Sequence, residues 1–188
     1  MDAREDQDDV ERVLAGDISA FERIVNRWQV PLINLAYRFC RDRSRAEDMA
    51  QEAFLRVYRG LKNWRRDAAF STWIFAIAMN TYRTEMRRTP ERMLPFENYE
   101  VLDSVIAKSP DPNDGDRDRA VRRAVSALPA KYKEALVLFY FHEMDVTAAA
   151  KSLGLPEGTV KARLSRGRKI LREKLPGFLG ELRLEEAQ

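Results

Sequence analysis

The stretch that decides the reading is VTAAAKSLGLPEGTVKARLSRGRK, residues 146–169. It divides into a short run rich in small residues, a turn at Gly154 and Leu155, and a longer basic run opened by Pro156. A proline in the first turn of a helix costs no hydrogen bond, because its missing N–H would have had no partner there. A short helix, a turn of three or four residues containing glycine, and a second helix make a helix-turn-helix. The second helix of such a unit can enter the major groove, with its early residues toward base edges. Between Glu157 and Lys174 the bases are Lys161, Arg163, Arg166, Arg168, Lys169, Arg172 and Lys174, against only Glu157 and Glu173. Val160 and Leu164, four apart, with Leu171 beyond them, mark the buried side, and Thr159, Lys161, Ser165 and Arg166 fall toward the outside. The alternative is a solvated basic helix, or the same three-helix packing without DNA; the layout favours DNA binding over both.

Outward from this motif the chain is helical throughout. Sustained period-2 alternation is missing, and glycine and proline number only 8 each in 188 residues. Before the motif, residues 120–128 read as a helix stopped at Pro129, and residues 131–142 as a strongly apolar one. Four prolines (Pro90, Pro95, Pro110, Pro112) lie within 89–118, a stretch with eight acids and three bases. It reads as a flexible acidic linker between two helical domains, 1–88 and 119–188. A flexible chain of that length averages roughly 30 Å end to end and reaches at most about 100 Å. Two readings of its charge stand open: a solvated tether, or an acidic segment that folds back on the basic surfaces of both domains.

In the first domain, residues 9–16 form a short helix in this reading. Residues 19–40 form a longer one that Pro31 kinks or interrupts. Ser44 and Glu47 have capping-box spacing for a third helix, which buries Ala50, Phe54, Val57 and Tyr58. A fourth runs from Ser71 to about Arg88. Asp48, Gln51 and Glu52 share the polar side of the third helix. Trp64, Phe70, Trp73, Phe75 and Tyr82 interleave with Lys62, Arg65, Arg66, Arg83, Arg87 and Arg88. Rings that stack on bases, beside cations that follow phosphates, suit single-stranded nucleic acid. The same rings at helical spacing also suit a core.

Composition excludes several classes. One cysteine (Cys40) and one histidine (His142) give no disulfide framework, thiolate zinc site or histidine relay. His142, at the end of an apolar run, reads as surface or core trim. No apolar run approaches the roughly 18–20 residues of a membrane span, and the acidic N-terminus has no signal core, so a cytoplasmic protein is expected. No glycine-rich phosphate loop or nucleophile constellation is present, so neither catalysis nor a cofactor is expected.

Four segments now fall together. SRAEDMAQEAFLRVY (44–58) and FSTWIFAIAMN (70–80) resemble the region 2 signatures of extracytoplasmic-function sigma factors, the smallest members of the sigma-70 family. LPAKYKEAL (128–136) and LPEGTVKARL (155–164) resemble the region 4 pattern of the same family. The four occur in family order and cover about residues 8–175. The resemblance implies an all-α protein: a region 2 domain at 1–88, a linker at 89–118, and a region 4 domain at 119–188 with a short C-terminal tail. It implies an alternative sigma factor that binds core RNA polymerase, at the β′ clamp and the β flap, and opens promoter DNA. An anti-sigma factor is an expected partner. Asp48, Gln51, Glu52 and Leu55 would contact polymerase. Lys62, Trp64, Arg65, Arg66, Phe70, Trp73, Asn80, Arg83, Arg87 and Arg88 would melt and read the minus-10 element. Thr159, Lys161, Ala162, Arg163, Ser165, Arg166, Arg168 and Lys169 would read the minus-35 element. This chain departs from the family at Ala76 and Met79, where arginines are common, and at Ala162, where serine is usual. Its helix at 146–151 lacks the common glutamate pair. A stand-alone helix-turn-helix regulator leaves the Asp48, Gln51 and Glu52 face without a purpose. A recombinase fragment needs a nucleophile in a basic pocket, and none can be placed.

Overall fold

The computed structural model describes residues 3–88, 124–125 and 127–175, all helix and connecting turns with no strand among them. The first domain has four helices: α1 (Ala3–Leu14), α2 (Ser19–Cys40), α3 (Arg43–Gly60) and α4 (Phe70–Arg88). A 3-10 turn, Leu61–Asn63, follows α3. The second domain has α5 (Ala130–Leu136), continued by a π turn (Val137–Phe141), then α6 (Val146–Leu153) and α7 (Glu157–Lys174). The acidic stretch 89–118 and the tail beyond 175 lie outside the described residues, as does the helix expected at 120–128 except for Ala124, Val125, Ala127 and Leu128.

α2 runs unbroken through Pro31. A proline inside a helix removes one hydrogen bond and crowds the preceding turn, a cost of about 3 kcal/mol. Burial on both sides of it offsets that cost: Ile24, Trp28, Leu32 and Leu35 are all at most 2% exposed and point into one core. The cap of α3 is Asp42 and not Ser44, since the Asp42 carboxylate accepts the Arg45 N–H at 2.8 Å. Tyr58, expected inside, is exposed.

α1 begins six residues earlier than its apolar pattern implies, for an electrostatic reason. Asp6 and Asp9 are buried against α2, where Arg27 bonds both (2.6 and 2.9 Å), Arg23 bonds Asp9 (2.7 Å), and the Trp28 indole donates to Asp6 (2.9 Å). Burial alone would raise the Asp9 carboxyl, but the hydrogen bonds from Arg23 and Arg27 hold it below the ordinary value. Tyr82 of α4 is buried and its hydroxyl donates to the Leu32 carbonyl at 3.0 Å, tying α4 to α2; burial pushes its phenol up.

The second domain closes by a near approach of backbones. Gly167 of α7 is buried, and a Cβ there would lie 2.8 Å from Leu136 Cδ1 and 3.4 Å from Tyr132 Cβ on α5. Gly154 ends α6 with φ +65, a left-handed conformation that glycine adopts without steric cost. The two domains touch, and their cores form one apolar cluster in which α4 packs on α6.

Candidate nucleic-acid interface

α3 presents a stripe. Asp48, Gln51, Leu55 and Tyr58, spaced 3, 4 and 3 residues apart, are exposed on one side, while Ala46, Met49, Ala50, Ala53 and Val57 are buried on the other. Leu55 is 51% exposed and gives the stripe an apolar member between Gln51 and Tyr58. Glu52 is half-buried and pairs with Arg56 at 2.7 Å along the same helix.

The turn after α3 carries the loop cations. Lys62, Arg65 and Arg66 are exposed. Arg66 has φ +62 and reaches back to Glu11 of α1 at 2.8 Å. Arg65 lies 3.3 Å from Asp67. The rings divide into two groups. Phe70 is 2% exposed and packs edge-on against Trp28 and Trp64. Trp64 and Trp73 are half-buried, 6.3 Å apart, with the Trp64 indole donating to the Ala68 carbonyl at 3.3 Å. Phe70 therefore belongs to the core, and stacking it on a base would require unpacking that core. Trp64 and Trp73 keep a face toward solvent.

Along α4, Asn80, Arg87 and Arg88 are exposed. Arg83 is not free: its guanidinium forks onto Glu134 of α5 at 2.9 and 2.7 Å and reaches the Leu153 carbonyl at 3.4 Å. Met79, one of the departures from the family pattern, is fully buried, and Ala76 is half-buried. Met79 thus contributes packing and no surface contact.

On α7, Lys161, Ala162, Ser165, Arg166 and Lys169 are exposed, Thr159 and Arg168 are half-buried, and Val160 and Leu164 are buried. The Tyr132 hydroxyl hydrogen-bonds Arg166, which lowers the phenol's pKa. Arg163 turns inward, donating to the Lys131 carbonyl at 3.4 Å and lying 3.6 Å from Glu134. The two helices of the unit are stapled: Asp145 caps α6 through the Ala148 N–H (2.6 Å), and Thr147 donates to Glu157 at the start of α7 (2.8 Å).

Sequence reasoning missed Glu134, Gly167 and Tyr132. Glu134 is buried and carries two arginines, which no helical pattern signals. Gly167 had a signal, a lone glycine inside a long helix, which implies close backbone approach or a packing reason.

Residues 24–91 match the model for sigma-70 region 2, and residues 118–171 the model for sigma-70 region 4. The RNA polymerase sigma-H factor of Pseudomonas aeruginosa is 33% identical over 187 residues, covering 94% of this chain and 97% of that protein. The chain belongs to the extracytoplasmic-function sigma factors of the sigma-70 family. The Bacillus subtilis factor SigW is 31% identical over 88% of this sigma factor and 94% of its own length. Two solved structures share the fold, each at 23% identity. CnrH in complex with the cytosolic domain of CnrY gives a TM-score of 0.68 over 92% of this chain and 96% of CnrH. RpoE of Bartonella quintana in complex with the anti-sigma factor NepR gives 0.63 over 84% and 97%. No helix among the described residues of the sigma factor is long and apolar enough to cross a membrane.

Proposed function

We propose that this sigma factor docks on core RNA polymerase through the α3 stripe, with Asp48, Gln51 and Glu52 as the polar contacts and Leu55 as the apolar one. The loop cations Lys62, Arg65 and Arg66, with Trp64, Trp73, Asn80, Arg87 and Arg88, melt and hold the minus-10 element. Arg83 joins them once it leaves Glu134. Lys161, Ala162, Ser165, Arg166 and Lys169 on the outer face of α7 read and grip the minus-35 element, with Thr159 and Arg168 at its margin. Arg163 and Phe70 act differently: Arg163 positions α7 against α5, and Phe70 packs beneath Trp64 and Trp73. The observation that carries this reading is the sidedness of α3 and α7, each with exposed polar groups opposite a buried apolar face. An arginine that takes guanine with both donors contributes roughly 1–3 kcal/mol of discrimination, and a base stacked on an aromatic ring a similar amount.

In this reading the factor is a binding subunit and not an enzyme, acts in the cytoplasm and needs no cofactor. The anti-sigma factor in the RpoE complex motivates the same kind of partner for this chain. The acidic segment 89–118 connects the two domains. Run-off transcription with core polymerase on a promoter library tests the reading. Specific initiation from a recurrent minus-35/minus-10 pair is expected, and no initiation above that of core polymerase alone would refute it.

A further inference from the structure

Glu134 stands between arginines from two DNA-reading surfaces. Arg83 of α4 bonds it at 2.7 and 2.9 Å, and Arg163 of α7 approaches the same carboxylate at 3.6 Å. Its side chain is 10% exposed, that of Arg83 28% and that of Arg163 22%, so water screens this triad only partly. Three more contacts bind the same domain faces. The buried Ser152 hydroxyl donates to the Thr72 carbonyl at 3.0 Å. The His142 ring lies 4.4 Å from Phe75. The Arg38 guanidinium sits 3.6 Å over the Phe141 ring.

Distance gives this arrangement its consequence. Arg83 belongs to the helix assigned to the minus-10 element and Arg163 to the helix assigned to the minus-35 element. Two turns of duplex are roughly 70 Å long, yet here one carboxylate touches both helices. α7 has 18 residues and is about 27 Å long, so no part of it can be two turns of DNA away from α4. This conformation cannot engage both elements at once.

We infer that Glu134 is a clasp that holds the free sigma factor shut, withdrawing Arg83 from nucleic acid and forbidding two-element binding until the domains part. The clasp leaves the outer face of α7 uncovered: Lys161, Ser165, Arg166 and Lys169 are exposed in the closed form. It therefore limits simultaneous binding and spares recognition of the minus-35 element alone. When the domains part, Glu134 keeps Arg163 as its partner, so opening does not strand a buried charge. Arg83 exchanges a carboxylate for a phosphate. The inference rests on the assignment of α4 and α7 to the two elements.

The test uses the full chain with donor and acceptor dyes on Asn26→Cys and Glu173→Cys. The free factor should show high energy transfer. Glu134→Gln and, separately, Arg83→Gln should each shift it to low transfer, and the conservative Arg83→Lys, which keeps the charge facing Glu134, should stay closer to the parent. Glu134→Gln should bind a promoter fragment carrying both elements, pre-melted at minus-10, about tenfold more tightly than the parent. That gain corresponds to an open form populated at about a tenth of the molecules. A duplex with the minus-35 element alone should change by no more than about twofold. Unchanged high transfer in both single variants would overturn the clasp, whatever α4 and α7 bind. Low transfer with no gain on the two-element fragment would overturn its inhibitory role. Should the parent holoenzyme ignore Lys161→Ala and Arg166→Ala on the same promoter, the fault lies in the assignment of α7, and the energy-transfer result still decides the clasp.

Discussion

α3 and α4 are neighbours of similar length, and both carry polar residues proposed to meet a partner, yet they end up in opposite states. The stripe of α3 faces solvent along its length, and the Glu52–Arg56 ion pair beside it is internal to the helix. The face of α4 is partly covered by α6, and Arg83 is committed to another domain. Periodicity separates inside from outside for a helix packed on one core. It says nothing about a helix whose outer face is covered by a second domain, because that face is polar in either case.

The largest expected effect lies beneath the aromatic surface. Phe70→Ala should cost about 3–5 kcal/mol of stability, as for other buried rings truncated in a packed core. Trp73→Ala should cost less and should slow promoter opening instead. Thermal or urea unfolding separates them, and equal losses would erase the division between core and surface rings.

Next in size is the reversal of the α3 stripe. Asp48→Lys with Glu52→Lys should weaken binding to core polymerase by about 3 kcal/mol, the scale of close charge pairs at an interface. The closed form should be untouched, since the stripe lies away from Arg83 and Glu134. Fluorescence anisotropy with labelled factor measures the first and energy transfer the second. Normal polymerase affinity would remove α3 from the interface.

Acid should loosen the covered face. Burial, with Arg38 nearby, lowers His142 to a pKa of about 4, against an ordinary value near 6.5 once the domains part. Glu143 and Asp145 line the same cleft. The closed form keeps histidine neutral, so closure is fully stable above about pH 6.5 and weakens as pH falls toward 4. Between pH 7 and 5 the loss should be about 1–2 kcal/mol, less what solvent recovers. Energy transfer as a function of pH should show it, and His142→Phe should flatten the curve. An equal pH response in both proteins would place the titration elsewhere.

The most local effects sharpen α7 itself. Arg166→Ala should relax preference at one or two upstream positions by roughly 1–3 kcal/mol. Lys169→Ala should weaken all sequences alike and flatten the salt slope by about one unit. Uniform losses from both across a randomised minus-35 library would make Arg166 a phosphate contact.

How much of this was legible in the sequence depends on the range of the forces involved. α2 and α6 agree with the expected bounds because one apolar period spans each of them. The buried side of α7 at Val160 and Leu164 follows from the same rule. α1 was foreshortened because its first turns are held by Asp6 and Asp9, whose partners Arg23 and Arg27 stand 14 to 21 residues away. Pro31 signals a kink or break from sequence because the local cost is visible there and the flanking burial is not. By sequence Arg83 and Arg163 group with their exposed neighbours, since nothing along the chain links either to Glu134. His142, surface or core trim by its place at the end of an apolar run, sits in the contact between domains against Phe75.

A molecule shut across Glu134 must open to span a promoter. The most direct measurement is the distance between probes on α2 and α7, at Asn26→Cys and Glu173→Cys with Arg83, Glu134 and Arg163 intact, followed from free factor to holoenzyme on promoter DNA. A separation short in the free factor and lengthened to the order of 70 Å in the complex is predicted, matching two turns of duplex. A separation that stays short in an actively transcribing complex would contradict it.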